Sequence, residues 1–269
     1  MSRVAATSSV VQDAFHDAFQ DELRTIVNEL PIPSGSRVFD LPCGNGFYSA
    51  FLAKRLGRED RLVAVDSSEP LLKATREALT VQECGVEVRK ADAYSLPFED
   101  ESFDVVWCAQ SLISLDPQRA IGEMFRVVKR GGRLAILEVD QFHHVLLPWP
   151  AELEVALPAA MLAASVERYG DAIKIAPARK LRCQLSHAGF KSVEREIYSF
   201  IRSAPFDERT ATFLKRYFAE LNSFAGPFLS APMRELFHRA ANPDSPDSLL
   251  RNPHAELLCI NSVYLALRS

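Results

Sequence analysis

Val38-Phe39-Asp40-Leu41-Pro42-Cys43-Gly44-Asn45-Gly46 is the stretch from which the fold of this chain follows. Arg37 to Leu41 is short and apolar, as a buried strand is. Pro42, Gly44 and Gly46 then make a turn. Phe47 to Leu56 takes up a helical period, and Gly57 closes it as the residue after the helix. The unit is strand, glycine-bearing turn, helix. Glycine there lets backbone approach a ligand with no Cβ in the way. The helix start behind it presents N–H groups to a negative group. Asp66 lies 20 residues beyond Gly46, at the end of the next apolar run, Leu62 to Asp66. An acid at that point accepts hydrogen bonds from a ribose diol.

Outward from this stretch the alternation continues. Ser67 or Ser68 caps a helix over Pro70 to Gln82, and Val86 to Lys90 is a third strand. Phe103 to Cys108 is a fourth. Asp116 and Pro117 open a helix that ends at Lys129 and Arg130, before Gly131 and Gly132. Arg133 to Val139 is a fifth strand. Strands that are apolar on nearly every residue and alternate with helices imply a parallel sheet buried on both faces. Lys191 to Phe200 and Ala255 to Leu267 add a sixth strand and a final one, giving a doubly wound, mostly parallel seven-stranded α/β sheet. Upstream, Val11, Phe15, Phe19, Leu23, Ile26, Val27 and Leu30 recur at helical spacing, so Ser9 to Leu30 reads as one amphipathic helix, with Ser9 and Gln12 as its capping box.

Two ligands fit the glycine turn up to this point, a dinucleotide and S-adenosylmethionine. Three features favour the second. Ser49 stands where the third glycine of a G-x-G-x-x-G fingerprint belongs. Asp40 precedes the turn, where it repels a pyrophosphate and suits a methionine ammonium. Asp92 follows the third strand in Lys90-Ala91-Asp92-Ala93, where a carboxylate accepts from an adenine amine. Taken singly, Gly44 and Gly46 also read as plain turn glycines, Asp66 as a helix cap and Asp92 as a loop acid.

At VFDLPCGNG, VAVDSS, KADAYSLPFEDESFDVVWC and AIGEMFRVVKRGGRLAILE the chain resembles the class I S-adenosylmethionine-dependent methyltransferases, in the branch that contains the ubiquinone and menaquinone C-methyltransferases. The four pieces fall between residues 37 and 139, in family order. The resemblance implies a Rossmann-like methyltransferase fold with S-adenosyl-L-methionine as cofactor. It also implies roles. Asp40, Gly44 and Gly46 hold the methionine part, Asp66 the ribose hydroxyls and Asp92 the adenine amine. Ser67 borders the adenine, Ala93 contributes backbone beside Asp92, and Gln110 lines the donor and acceptor site. The family usually has glycine where this chain has Pro42, which fixes φ and donates no N–H.

The acceptor site falls to the segments outside the match. The expected organisation is an N-terminal helical cover over 1–36 and a donor-binding core over 37–140. A lid insertion over 141–176, a core helix and strand over 177–200, a second helical lid over 201–252 and a last antiparallel strand over 253–269 follow. Nine aromatics fall between Tyr198 and Phe237, which reads either as an apolar acceptor pocket or as the lid's own core. Methylation of oxygen or of an acidic carbon needs a base. His143 and His144, directly after the fifth strand, are the candidates, with only one facing inward, and His16 is a third. Glu138 reads as a buried site acid or an exposed end residue, and Cys43 as a packing residue.

Composition narrows the rest. A formal net charge of −4 argues against nucleic acid as the main partner. There is no apolar run of the roughly 18 residues a membrane span needs, and MSRVAATSSVVQDAF has no apolar h-region, so it is not expected to be a secretory signal. Five scattered cysteines with no CxxC pair suggest no metal site and a reducing cytoplasm. The expected activity is methyl transfer to an oxygen, carbon or nitrogen of a small, rather apolar molecule. Two rivals stay open: the same fold running a cyclisation, and a non-catalytic partner subunit. The oligomeric state, monomer or homodimer, is open as well.

Overall fold

The computed structural model describes residues 3–172 and 174–269, and of 3–9 the backbone alone. The chain forms two compact units, each assembled from separated segments. Leu23–Val139, Pro177–Tyr198 and Asn261–Ser269 make the larger one. Met1–Glu22, Asp140–Ala176 and Ser199–Ile260 make the other.

The larger unit is built on a sheet. Its parallel strands are β1 (Arg37–Asp40), β2 (Arg61–Asp66), β3 (Gly85–Lys90), β4 (Phe103–Ala109) and β5 (Val128–Glu138), in the order β3-β2-β1-β4-β5. The long strand β8 (Glu256–Leu267) runs antiparallel to β5, with Glu138 opposite Ser262. β7 (Ser192–Ser203) pairs with β8 in turn. The order reverses between β1 and β4, so the crevice beyond the C-terminal end of β1 is where this topology places a ligand.

Helices cover both faces. α5 (Pro117–Val127) and α7 (Ala178–Ala188) bury Ile121, Met124, Leu181 and Leu185 against Phe39, Val63, Val106 and Ile136. α3 (Phe47–Arg55) and α4 (Glu69–Ala78) lie on the other face, where Leu72 packs on Ala64 and Cys43. α5 starts as its sequence dictates: Asp116 Oδ1 accepts from the N–H groups of Gln118 and Arg119, and Pro117 occupies the first turn.

The second unit is mostly helical. It holds α1 (Arg3–Ala18), α6 (Ala151–Tyr169), α8 (Glu208–Ala225) and α9 (Ala231–Ala241), with the two-residue strand β6 (Val145–Leu146) paired to the first half of β8. Phe200, Phe213, Phe218 and Phe237 of the aromatic run are buried there with Phe15 and serve as core, whereas Phe228 is exposed. Phe213 packs edge-on to Phe15, and Trp149 stacks on Phe237.

The structure corrects four expectations. The sheet has eight strands because β6 adds to the seven. The upstream helix is two helices, α1 and α2 (Gln20–Glu29), interrupted at Phe19. Arg202 causes the break: its guanidinium donates to the Ala18 carbonyl at 2.9 Å and to Glu22 at 2.6 Å, over the Phe19 ring. Because α1 starts at Arg3, Ser9 does not cap it, and the Ser9 side chain lies outside the described residues. α4 stops at Ala78, short of Gln82. Finally, α5 ends at Val127 and Gly131-Gly132 lie inside β5, where the register against β4 shifts; a Cβ on Gly132 would meet the Asp104 carbonyl at 2.9 Å.

Candidate functional site

Asp40 ends β1 at the point where the strand order reverses, with 1% of its surface exposed. Ser49, in the first turn of α3, donates to its Oδ2 at 2.5 Å. Burial pushes the Asp40 carboxyl up to about 7; the Ser49 hydrogen bond opposes the shift and the neighbouring Asp66 adds to it. The residue that breaks the dinucleotide fingerprint thus secures the acid that replaces it.

The turn after Asp40 depends on its glycines. Gly44 has φ +56° and Gly46 φ +87°, and a Cβ on Gly46 would sit 2.8 Å from the Thr75 Cα of α4. Thr75 donates to the Gly44 carbonyl at 2.9 Å, tying the turn to that helix. Pro42 fits because this position needs no N–H: the turn is anchored by Cys43 N–H, which donates to the Val65 carbonyl at 2.8 Å. Cys43 itself is buried, and burial with Asp40 nearby pushes its thiol up.

Asp66 ends β2 and is buried. Its Oδ2 accepts from Gly44 N–H at 3.0 Å and its Oδ1 from Ser68 N–H at 2.9 Å. It thereby fixes the residue that precedes α4; Ser68 is the N-cap residue as expected but makes no side-chain cap bond. Each carboxylate oxygen keeps a second lone pair for a ligand. Ser67, beside it, is exposed. Past β3, the exposed Asp92 accepts from Tyr94 N–H at 2.9 Å, and Ala93 is buried beneath it.

Gln110 follows β4 at φ +49°, an uncommon conformation for a residue other than glycine. It is held on both sides. Its N–H donates to the Leu137 carbonyl at 2.8 Å, and its Oε1 accepts from the Tyr48 hydroxyl at 3.2 Å. Glu138 fixes the next two residues: Oε1 accepts from Ser111 N–H at 2.8 Å and from Leu112 N–H at 2.7 Å. Of its two readings, the buried one is therefore the structure's, with the carboxylate spent on loop backbone. Asp40, Gly44, Gly46, Asp66, Ser67, Asp92, Ala93 and Gln110 all lie at the C-terminal edge of one sheet. Sequence reasoning missed the supporting roles of Ser49, Tyr48 and Thr75. Ser49 alone carried a signal, as a hydroxyl in a place where glycine was expected.

The three candidate histidines belong to the second unit. His143 is exposed, with Nδ1 3.1 Å from Asp140 Oδ2. His144 is buried, its Nδ1 3.0 Å from the Ile260 carbonyl and its ring edge-on to Phe15. A carbonyl only accepts, so Nδ1 carries the proton and Nε2 the lone pair. Burial pushes this imidazole down to about 4. His16 is buried in α1. Among the described residues, no three His, Cys, Asp or Glu side chains gather as metal ligands do, and no helix is long and apolar enough to cross a membrane.

Comparison with known proteins finds relatives by sequence and by fold. A family model described as a methyltransferase domain matches residues 39–136. A demethylmenaquinone methyltransferase of Lactiplantibacillus plantarum is 30% identical over 183 residues, 64% of this chain and 77% of that protein. Another, from Bacillus cereus, is 34% identical over 138 residues; the match spans 50% of this chain and little more than half, 56%, of that relative. Among solved structures, the YcgJ protein of Bacillus subtilis is similar with a TM-score of 0.57 and 15% identity, over 93% of this chain and 99% of that one.

Proposed function

The chain belongs to the class I S-adenosylmethionine-dependent methyltransferases, and on that premise we propose that the small molecule it methylates is a rather apolar ring bearing an ionisable oxygen, such as a quinol, a phenol or an enol. S-adenosylmethionine is its donor. The residues present fit that group: two buried carboxylates and a glycine turn line the sheet edge where the strand order reverses. In this reading Asp40, Gly44 and Gly46 hold the methionine end and Asp66 the ribose hydroxyls. Asp92 takes the adenine amine between Ser67 and Ala93, and Gln110 faces the transferred methyl. When bound, the donor supplies a methyl already activated on a sulfonium.

The protein's own work is then alignment and proton removal. Tyr48 and the Leu137 carbonyl hold Gln110, and Glu138 holds the loop behind it. We assign His144 as the base, in preference to His143 and His16. It follows Glu138 by six residues in the chain, is neutral through burial, and has Nε2 as its unprotonated nitrogen. The acceptor oxygen becomes acidic as its electrons enter the new bond, so a neutral imidazole suffices to take the proton.

The observation that carries the acceptor class is the L. plantarum relative, a protein named for methylating demethylmenaquinone. Relatives named for methyl transfer support turnover over a cyclisation, and a complete set of donor residues supports it over a scaffold role. A net charge of −4 supports a small molecule over nucleic acid, and five free cysteines, four of them buried, support a cytoplasmic location. The test is turnover of S-adenosylmethionine with reduced naphthoquinones, naphthols and phenols, read by mass spectrometry. A product one methylene heavier is expected. A panel that yields no such product, from protein that binds S-adenosylhomocysteine, overturns the acceptor class and leaves the donor in place.

A further inference from the structure

Asn261 is fully buried on β8, and neither its Oδ1 nor its Nδ2 has a hydrogen-bond partner. Among the described residues, no other side chain has two polar atoms both buried and unpartnered. An amide in that state destabilises the fold that holds it, so its place in the sheet is informative.

The register gives that place. Leu265 lies opposite Ala135 of β5, and Ala135 lies opposite Trp107 of β4, which is itself opposite Asp40 of β1. Residues opposite one another share a face, and so do alternate residues of one strand. Leu265, Val263 and Asn261 therefore lie on the face of Trp107 and Asp40, the one covered by α3, where Tyr48 packs on Trp107 and Ser49 bonds Asp40. β8 runs antiparallel to the others, so the step from Leu265 to Asn261 is toward the C-terminal ends of β4 and β5, about 13 Å along the strand. Val263 is opposite Leu137, whose carbonyl holds Gln110. Asn261 thus stands two residues beyond it, just past the last β5–β8 pair of Glu138 with Ser262, at the rim where ligands bind in this topology. The peptide preceding it carries the Ile260 carbonyl that takes the His144 Nδ1 proton.

We infer that the Asn261 carboxamide is a specificity-determining group for the acceptor, receiving a hydroxyl or carbonyl oxygen in a hydrogen bond. A carboxamide both donates and accepts, so it serves the hydroxyl and the keto form of one acceptor alike. The inference rests on the acceptor class proposed above. A site that hydrogen-bonds an oxygen also rejects the hydrocarbon that lacks it, because the amide is then left buried and unpaired.

The test uses the full chain saturated with S-adenosylhomocysteine, titrated calorimetrically with 1-naphthol and with naphthalene. Wild type is expected to bind 1-naphthol at least tenfold more tightly. Asn261→Leu, of similar volume, is expected to erase that preference while keeping S-adenosylhomocysteine affinity and an equal or higher Tm. Asn261→Ser should retain part of the preference. An unchanged preference in Asn261→Leu overturns the inference. So does a Tm lower by several degrees in both variants, which marks the amide as structural. A wild type that binds neither probe overturns it too. The S-adenosylhomocysteine heat in the same titrations reports separately on the donor site, and product formation in the turnover panel reports separately on the acceptor class.

Discussion

Asp40 and His144 are buried in opposite senses, and their effects on stability oppose each other. Asp40 has a folded value of about 7 against an ordinary 3.8, so the stability it contributes is full below about pH 4 and is lost as pH rises to 7. His144 is at about 4 against an ordinary 6.5, so its contribution is full above 6.5 and is lost as pH falls toward 4. Each acts with about 1.4 kcal/mol per pH unit. Between pH 4 and 6.5 the two nearly cancel. Relative to wild type, Asp40→Asn is therefore expected to gain stability as pH rises through that window, and His144→Asn to lose it. Urea denaturation at pH 4, 5.5 and 8 reads both slopes; parallel curves for all three proteins contradict the assignment. The glycines separate similarly. Gly44→Ala meets only the positive φ and should cost about 1 kcal/mol, whereas Gly46→Ala also drives a Cβ into Thr75 and should cost at least 2–3 kcal/mol. Equal losses contradict the close approach. Asp40, Gly44, Gly46 and Asp66 were legible because each has a charge or a conformation that the turn requires. The Ser49 bond to Asp40 was not, since a hydroxyl in a helix has many possible partners.

Among the elements, the loop from Gln110 to Leu112 is held by one carboxylate rather than by its own sequence. Glu138→Ala strips the acceptor from two N–H groups and is expected to cost about 2–4 kcal/mol, with looser donor binding through Gln110. A urea midpoint unchanged in that variant contradicts the role. Strand existence was readable from apolar runs, because a parallel sheet covered on both faces tolerates few polar residues. Element ends were harder. α1 stops at Ala18 because Arg202, 184 residues away, takes its carbonyl, and no local period reports a partner so distant. β5 runs back through Gly131 and Gly132, where glycines that read as the stop after a helix form a bulge. That only one of His143 and His144 faces inward was legible from their adjacency; which one depends on β6 lying against β8.

At the scale of the whole molecule, every residue assigned to the donor lies in one unit, while His16, His143, His144 and the aromatic core lie in the other. The unit boundaries at 139/140 and 176/177 lie beside the segment bounds expected along the chain, whereas those at 22/23 and 260/261 fall inside an expected helix and an expected strand, because β8 passes through both units and no local pattern reports such a crossing. Hydrogen exchange should resolve it: S-adenosylhomocysteine is expected to slow exchange at residues 40–46, 66–68 and 92–94, with α9 unchanged. Slowing confined to α8 and α9 would contradict the placement of the donor. The most direct measurement is calorimetric titration of the wild type and Asp66→Ala with S-adenosylhomocysteine, with NADH as the control. The account predicts micromolar binding by the wild type, loss of that binding in Asp66→Ala, and no heat from NADH. Binding undiminished in the variant, or binding of NADH in place of the thioether, would contradict it.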